Sequence, residues 1–129
     1  MIVLDVSAAV ELVLATPPGA AVARRLRGET VHAPAHFDVE VIGAIRRAVM
    51  RKLISDHEGL VAVADFQLLS LRRWPTKAFI QRAFQLRSTH TVADGVYVAL
   101  AEGLAAPLIT CDGRLAQSHD HEAEIELIV

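Results

Sequence analysis

An α/β fold, with a central, mostly parallel sheet flanked by helices, is predicted by three observations on the sequence. Short apolar runs such as Ile2–Leu4 and Pro107–Thr110 alternate with stretches of helical periodicity, and strands separated by helices need crossovers that leave neighbouring strands parallel. The runs are continuously apolar, as in strands covered on both faces. At 129 residues, 53% hydrophobic and 22% charged, the chain can fill one core but not two, so residues 1–129 form a single domain.

The elements follow in order. Ile2 to Leu4 reads as a buried strand ending at Asp5, followed by a helix through Ala8 to Leu14 with Ser7 as its N-cap. Pro17, Pro18 and Gly19 break the chain before a second helix that ends in Arg24, Arg25 and Arg27 and is closed by Gly28. A brief strand, Thr30 to Ala33, is stopped by Pro34. From Ala35 to Lys52, the spacing of Phe37, Val41, Ala44, Ile45 and Ala48 makes one apolar helical stripe. Ser55 and Glu58 form a capping box that opens a helix through Leu69. Leu71 to Trp74 reads as an edge strand, ended by Pro75 and kept soluble by two arginines. Helical spacing returns over Thr76–Leu86 and Val92–Leu104; Pro107–Thr110 is a strand leading to Asp112, and Glu124–Val129 alternates like a half-exposed strand.

The net charge of −2 hides an uneven distribution. Arg24 to Arg87 holds twelve basic and six acidic residues, whereas the rest of the chain has only Arg114 against nine acids. The single Cys111 excludes an internal disulfide and a cysteine zinc cluster, and fits a reducing, cytoplasmic location. Neither a membrane span nor a signal peptide is expected, since Asp5, Glu11 and Glu102 interrupt the best apolar stretches. The glycines are too widely spaced for a dinucleotide or phosphate loop, and no nucleophile elbow surrounds a serine. His119 and His121 sit in a polar segment that reads as a solvated turn, and Cys111 reads as a packing residue.

What remains is a set of carboxylates in unusual places. Asp5 and Asp112 follow strand runs, where function collects in parallel sheets. Asp94 shares an apolar stripe with Tyr97, Val98 and Ala101, and Glu40 lies on the flank of its helix's stripe together with Arg47 and Arg51. Taken singly, each acid is explained as a turn, a cap or a solvated edge. Clustered at one end of a sheet, they would raise one another's pKa unless a cation sat between them. Oxygen-only ligands select a hard ion, Mg²⁺ or Mn²⁺, and such a site suits phosphodiester hydrolysis, with the basic middle segment holding a polyanion.

The segments I-V-L-D-V-S (Asp5, Ser7), P-A-H-F-D-V-E-V-I-G-A-I-R-R (Glu40), T-V-A-D-G-V-Y-V-A-L-A (Asp94) and P-L-I-T-C-D-G-R-L-A (Asp112) resemble, in this order, the PIN-domain family, and within it the VapC toxins of toxin–antitoxin pairs. The resemblance implies a three-layer PIN sandwich and a Mg²⁺- or Mn²⁺-dependent endoribonuclease. Asp5, Glu40, Asp94 and Asp112 match the family's catalytic and metal-binding acids, with Ser7 and Thr110 as supporting hydroxyls. It also implies a homodimer and a small VapB-like antitoxin whose C-terminal segment covers the acidic cleft. Gly95 stands where the family more usually has alanine, which would loosen the first turn of the Asp94 helix. Arg46, Arg47, Arg51 and Lys52 are the candidate contacts to the RNA backbone. The alternative is a catalytically inactive module of the same fold that binds RNA or a protein partner, its acids serving as anchors for a basic peptide.

Overall fold

The computed structural model describes residues 1–129. Five strands, β1 (Ile2–Leu4), β2 (Val31–Pro34), β3 (Arg72–Trp74), β4 (Leu108–Thr110) and β5 (Ile125–Leu127), form one sheet in the order β3-β2-β1-β4-β5. Every neighbouring pair is parallel. Strand order therefore reverses direction between β1 and β4, and this switch point opens a crevice at the carboxyl ends of the two central strands.

The helices are α1 (Val6–Val13), α2 (Pro17–Leu26), α3 (Phe37–Met50), α4 (Asp56–Gln67), α5 (Ile80–Gln85), α6 (Val92–Leu104) and α7 (Gly113–Ala116). α1 packs against α2, α3 and α4, while α5 pairs with α6, giving the helix layers that flank the sheet. Ile2, Val3, Leu4, Leu108 and Ile109 are wholly buried in the sheet, joined by Phe37 and Val41 from α3 and by Tyr97, Val98 and Leu100 from α6. β3 and β5 take the two edges, as Arg72, Arg73 and the partly exposed Ile125–Leu127 require.

Several boundaries differ from the sequence expectation, each for a local reason. α1 begins at Val6 because Asp5, not Ser7, is its N-cap: directly after β1 ends at Leu4, the Asp5 carboxylate accepts the Ser7 N–H at 3.3 Å. Pro17, Pro18 and Gly19 do not precede α2 but make its first turn, where proline loses no intrahelical bond and Thr16 caps the Gly19 N–H at 3.1 Å. Gly19 is needed there for space, since a Cβ would lie 2.0 Å from the Glu11 carbonyl oxygen. The Thr76–Leu86 stretch is split: Thr76–Phe79 is a 3-10 turn, and the backbone bends at Phe79 (φ −114°) before α5 begins. The Ser55–Glu58 capping box is formed in both directions. No single helix is long and apolar enough to cross a membrane.

Candidate active site

The crevice is built first from β1 and β4. Asp5 leaves the end of β1 nearly buried, at 6% exposure, in a position where an unpaired carboxylate would be costly. Its partners all approach one oxygen. Ser7 Oγ donates to Oδ2 at 2.6 Å, the Ser7 N–H at 3.3 Å and Thr110 Oγ1 at 2.8 Å. Ser7 and Thr110 also meet each other at 3.1 Å. The network continues into the β4–α7 turn, where Cys111 N–H donates to Ser7 Oγ at 2.9 Å and Asp112 N–H to Thr110 Oγ1 at 3.0 Å. Two hydroxyls thus tie the ends of adjacent parallel strands together and leave Asp5 Oδ1 outside the network.

Asp112 and Asp94 are held differently. Asp112 caps α7 by accepting the Arg114 N–H at 2.9 Å on Oδ1. Asp94 stands in the first turn of α6, with its N–H capped by Thr91 at 3.2 Å. Burial pushes the Asp94 carboxyl above its usual range, and the neighbouring negative charges of Asp5 and Asp112 push it further the same way. Asp94 and Asp112 line a common cavity of about 250 Å³.

Glu40 enters from the first helical turn of α3. Tyr97, one α6 turn from Asp94, is buried and donates its hydroxyl to Glu40 Oε1 at 2.9 Å. Burial, then the negative charge of Glu40, holds the phenol well above its usual pKa, so it remains a donor. His36 Nε2 also lies 3.2 Å from Glu40 Oε1, but out of line for a hydrogen bond, and both of its ring nitrogens are shut from water without a partner. The ring meets Tyr97 edge-on at 5.2 Å.

The structure therefore gathers Asp5, Ser7, Thr110 and Asp112 into one network, with Asp94 in electrostatic reach and Glu40 tied to the Asp94 helix through Tyr97. The basic candidates are farther off. Arg47 lies two turns beyond Glu40, about 10 Å along the helix, and Arg51 about 16 Å. Arg46 lines an apolar groove between α3 and α4, and Lys52 lies past the end of α3 with φ 57°. Tyr97, His36, His90 and Arg114 were not singled out from sequence. For Tyr97 a signal existed, because a buried tyrosine needs a partner for its hydroxyl and a polar group on the flank of another apolar helix can supply it. His121 is no solvated residue: its Nε2 meets Ser118 Oγ at 3.1 Å, and its Nδ1 accepts the Ala123 N–H at 3.2 Å.

As a donor set, these groups suit a hard divalent cation: they are oxygens only, and burial together with mutual repulsion disfavours the ionised Asp94 in the free protein. Asp5, Asp94 and Asp112, with Glu40 beside them, are the residues that would hold it. No three of these side chains are drawn together to ligating distance as they stand.

Residues 2–119 match the family described as PIN domain. The chain belongs to the PIN-domain family. Among similar proteins, Ribonuclease VapC12 of Mycobacterium tuberculosis is 81% identical over 128 residues, covering 99% of each chain. Ribonuclease VapC1 of the same species is 37% identical, covering 98% of this chain and 96% of the relative. VapC ribonuclease Mb0985 of Mycobacterium bovis is 31% identical over 99% of this chain and 98% of its own. Within the PIN fold, Gly95 also gains an explanation. A Cβ there would lie 3.1 Å from the Ala83 Cα and carbonyl oxygen, so glycine lets α5 and α6 approach closely and its effect is on packing rather than on loosening the turn.

Proposed function

We propose that the chain is a Mg²⁺- or Mn²⁺-dependent endoribonuclease that hydrolyses RNA phosphodiester bonds and acts as the toxin of a toxin–antitoxin pair. The observation that carries the reading is 81% identity, over 99% of both chains, to a protein named a ribonuclease. It is supported by acids grouped at the switch point of a parallel sheet. Asp5, Asp94 and Asp112, with Glu40 nearby, would hold a hard divalent cation, which would activate a water and offset charge developing on the phosphate oxygens. Ser7 and Thr110 fix Asp5, Tyr97 fixes Glu40, and one of the carboxylates takes the proton of the attacking water. Attack by water leaves 5′-phosphate and 3′-hydroxyl ends.

The partner side of the proposal is a small VapB-like antitoxin and a homodimer, in the cytoplasm. Its support is an apolar groove of about 350 Å³ between α3 and α4, lined by Ile42, Ile45, Val49, Leu60 and Val63, with Leu60 left 71% exposed. Purified full-length protein with Mg²⁺ or Mn²⁺ is expected to cleave RNA, and Asp5→Ala or Asp94→Ala to abolish cleavage. Activity that persists in either variant with metal chelated would overturn the mechanism. A non-catalytic binding module is separated by metal titration: a functional metal site raises the unfolding temperature with ion concentration, and a module without one does not.

A further inference from the structure

The basic residues of this chain fall into two kinds. Arg25, Arg73 and Arg82 are each fixed by paired hydrogen bonds to a carboxylate, that of Glu126, Asp38 and Glu102 respectively. Arg114 is not. Its side chain is 96% exposed, its only ion-pair neighbour is Asp112 at 3.9 Å, and no side-chain hydrogen bond fixes it. Yet its backbone is fixed, because its N–H donates to Asp112 Oδ1, so the base of the side chain stands beside a candidate metal ligand while its head is free. The cavity that holds Asp94 and Asp112 is lined by Arg114 and by no other arginine or lysine.

A second observation on the same cavity points to a ligand. His90 lines it from the turn before α6, is 8% exposed, and has its Nδ1 engaged by Thr89 Oγ1 at 2.8 Å while Nε2 has no partner. Burial, then the neighbouring His121, holds the ring below its usual pKa. A buried ring nitrogen with no partner, on a residue that lines a polar cavity, is an unmet hydrogen bond.

Resting on the ribonuclease reading above, we infer that Arg114 and His90 form a nucleotide subsite beside the acids, Arg114 pairing with a phosphate that flanks the scissile one and His90 Nε2 with the ribose 2′-hydroxyl of that nucleotide. A guanidinium suits phosphate through paired N–H donors, and the 2′-hydroxyl is the group by which a protein distinguishes RNA from DNA. The basic residues of α3 then lie too far along the helix to be the contact nearest the chemistry.

The test measures binding of a short labelled single-stranded RNA, and of DNA of the same sequence, to the full chain with metal chelated so that no cleavage occurs. Arg114→Ala is expected to weaken RNA binding and to reduce the slope of log affinity against log salt by about 0.7, the share of one phosphate contact on a single strand. Arg114→Lys is expected to keep the slope and lose part of the affinity, and Arg24→Ala, at the opposite end of the sheet, to change neither. His90→Phe is expected to bring RNA and DNA affinities together without changing the slope, with His90→Gln as the second variant if the first unfolds. An unchanged slope in Arg114→Ala, or an unchanged RNA-to-DNA ratio in folded His90 variants, overturns the subsite. Cleavage is scored separately with Mg²⁺, so wild-type protein that cleaves RNA while Arg114→Ala keeps its slope refutes the subsite alone. Wild-type binding with the expected slope change but no cleavage refutes the nuclease alone.

Discussion

The two walls of the crevice are organised by opposite means. On the β1–β4 wall, Asp5 is fixed by three donors from Ser7 and Thr110. On the α6–α7 wall, Asp94 is half-buried, takes no such set of donors, and is pushed towards its neutral form by burial and by Asp5 and Asp112. One carboxylate is stabilised in place before anything binds, whereas the other is held at an energetic disadvantage that a cation would relieve. Apparently equivalent acids should therefore respond differently when only their charge is removed.

The largest effect expected is on catalysis, and it should not distinguish the walls: Asp5→Ala and Asp94→Ala each lower RNA cleavage by on the order of 10²–10³-fold, as when a charge-stabilising group is lost from an active site. A rate assay on a cleavable RNA checks this. Stability should then separate them. Asp5→Asn leaves donors facing an amide within a buried network and is expected to cost about 1–3 kcal/mol in denaturant unfolding. Gly95→Ala, on the α6 side, should cost a similar amount, about 1–3 kcal/mol, by forcing α5 and α6 apart at Ala83; equal stability to wild type would show that the contact relaxes freely. Thr110→Val, close in shape but without the hydroxyl, is expected to cost about 1–2 kcal/mol and to reduce metal affinity or cleavage by about 10–100-fold, because it removes support from Asp5 rather than a ligand.

The smallest effect carries the sharpest sign. Asp94→Asn removes a charge the metal-free fold disfavours, so at neutral pH it should raise the unfolding midpoint while abolishing stabilisation by added Mg²⁺. Because the folded-state pKa of Asp94 is raised, its favourable contribution is full below the unfolded carboxylate value and is lost as pH rises through the folded value. The gain from Asp94→Asn should accordingly be small in acid and grow towards neutrality. A gain that shrank on the same titration would show that the fold favours the ionised Asp94, and its disadvantage on the α6–α7 wall would be gone.

Much of this was legible in the chain. β1 and β4 stood out as apolar runs leading to Asp5 and Asp112, and helical spacing alone gave Val92–Leu104 its bounds. The boundaries that moved were those where short-range signals compete. Asp5 and Ser7 are both good caps, and the choice fell to Asp5 because β1 ends at Leu4; Pro17 and Pro18 serve equally as breakers or as a first turn, and Thr16 decides it. Four site residues were not legible in the sequence: Tyr97 meets Glu40 across a 57-residue separation, His36 packs on that same tyrosine, and His90 and Arg114 matter through the cavity they share with Asp94 and Asp112.

By itself the sequence determined the alternation of strands and helices, the edge position of the arginine-bearing strand, the uneven charge, and which acids stand at strand ends or beside apolar faces. These are local properties, set by periodicity, capping and backbone chemistry within a few residues. Only the tertiary structure decided that Thr110 and Ser7 share one carboxylate oxygen, that Tyr97 reaches Glu40 over the end of the sheet, and that the arginine lining the acidic cavity is Arg114 rather than one from the basic middle. Strand order is the reason. Placing β4 against β1 brings residues more than a hundred positions apart into hydrogen-bond contact, a distance relation that no local pattern encodes.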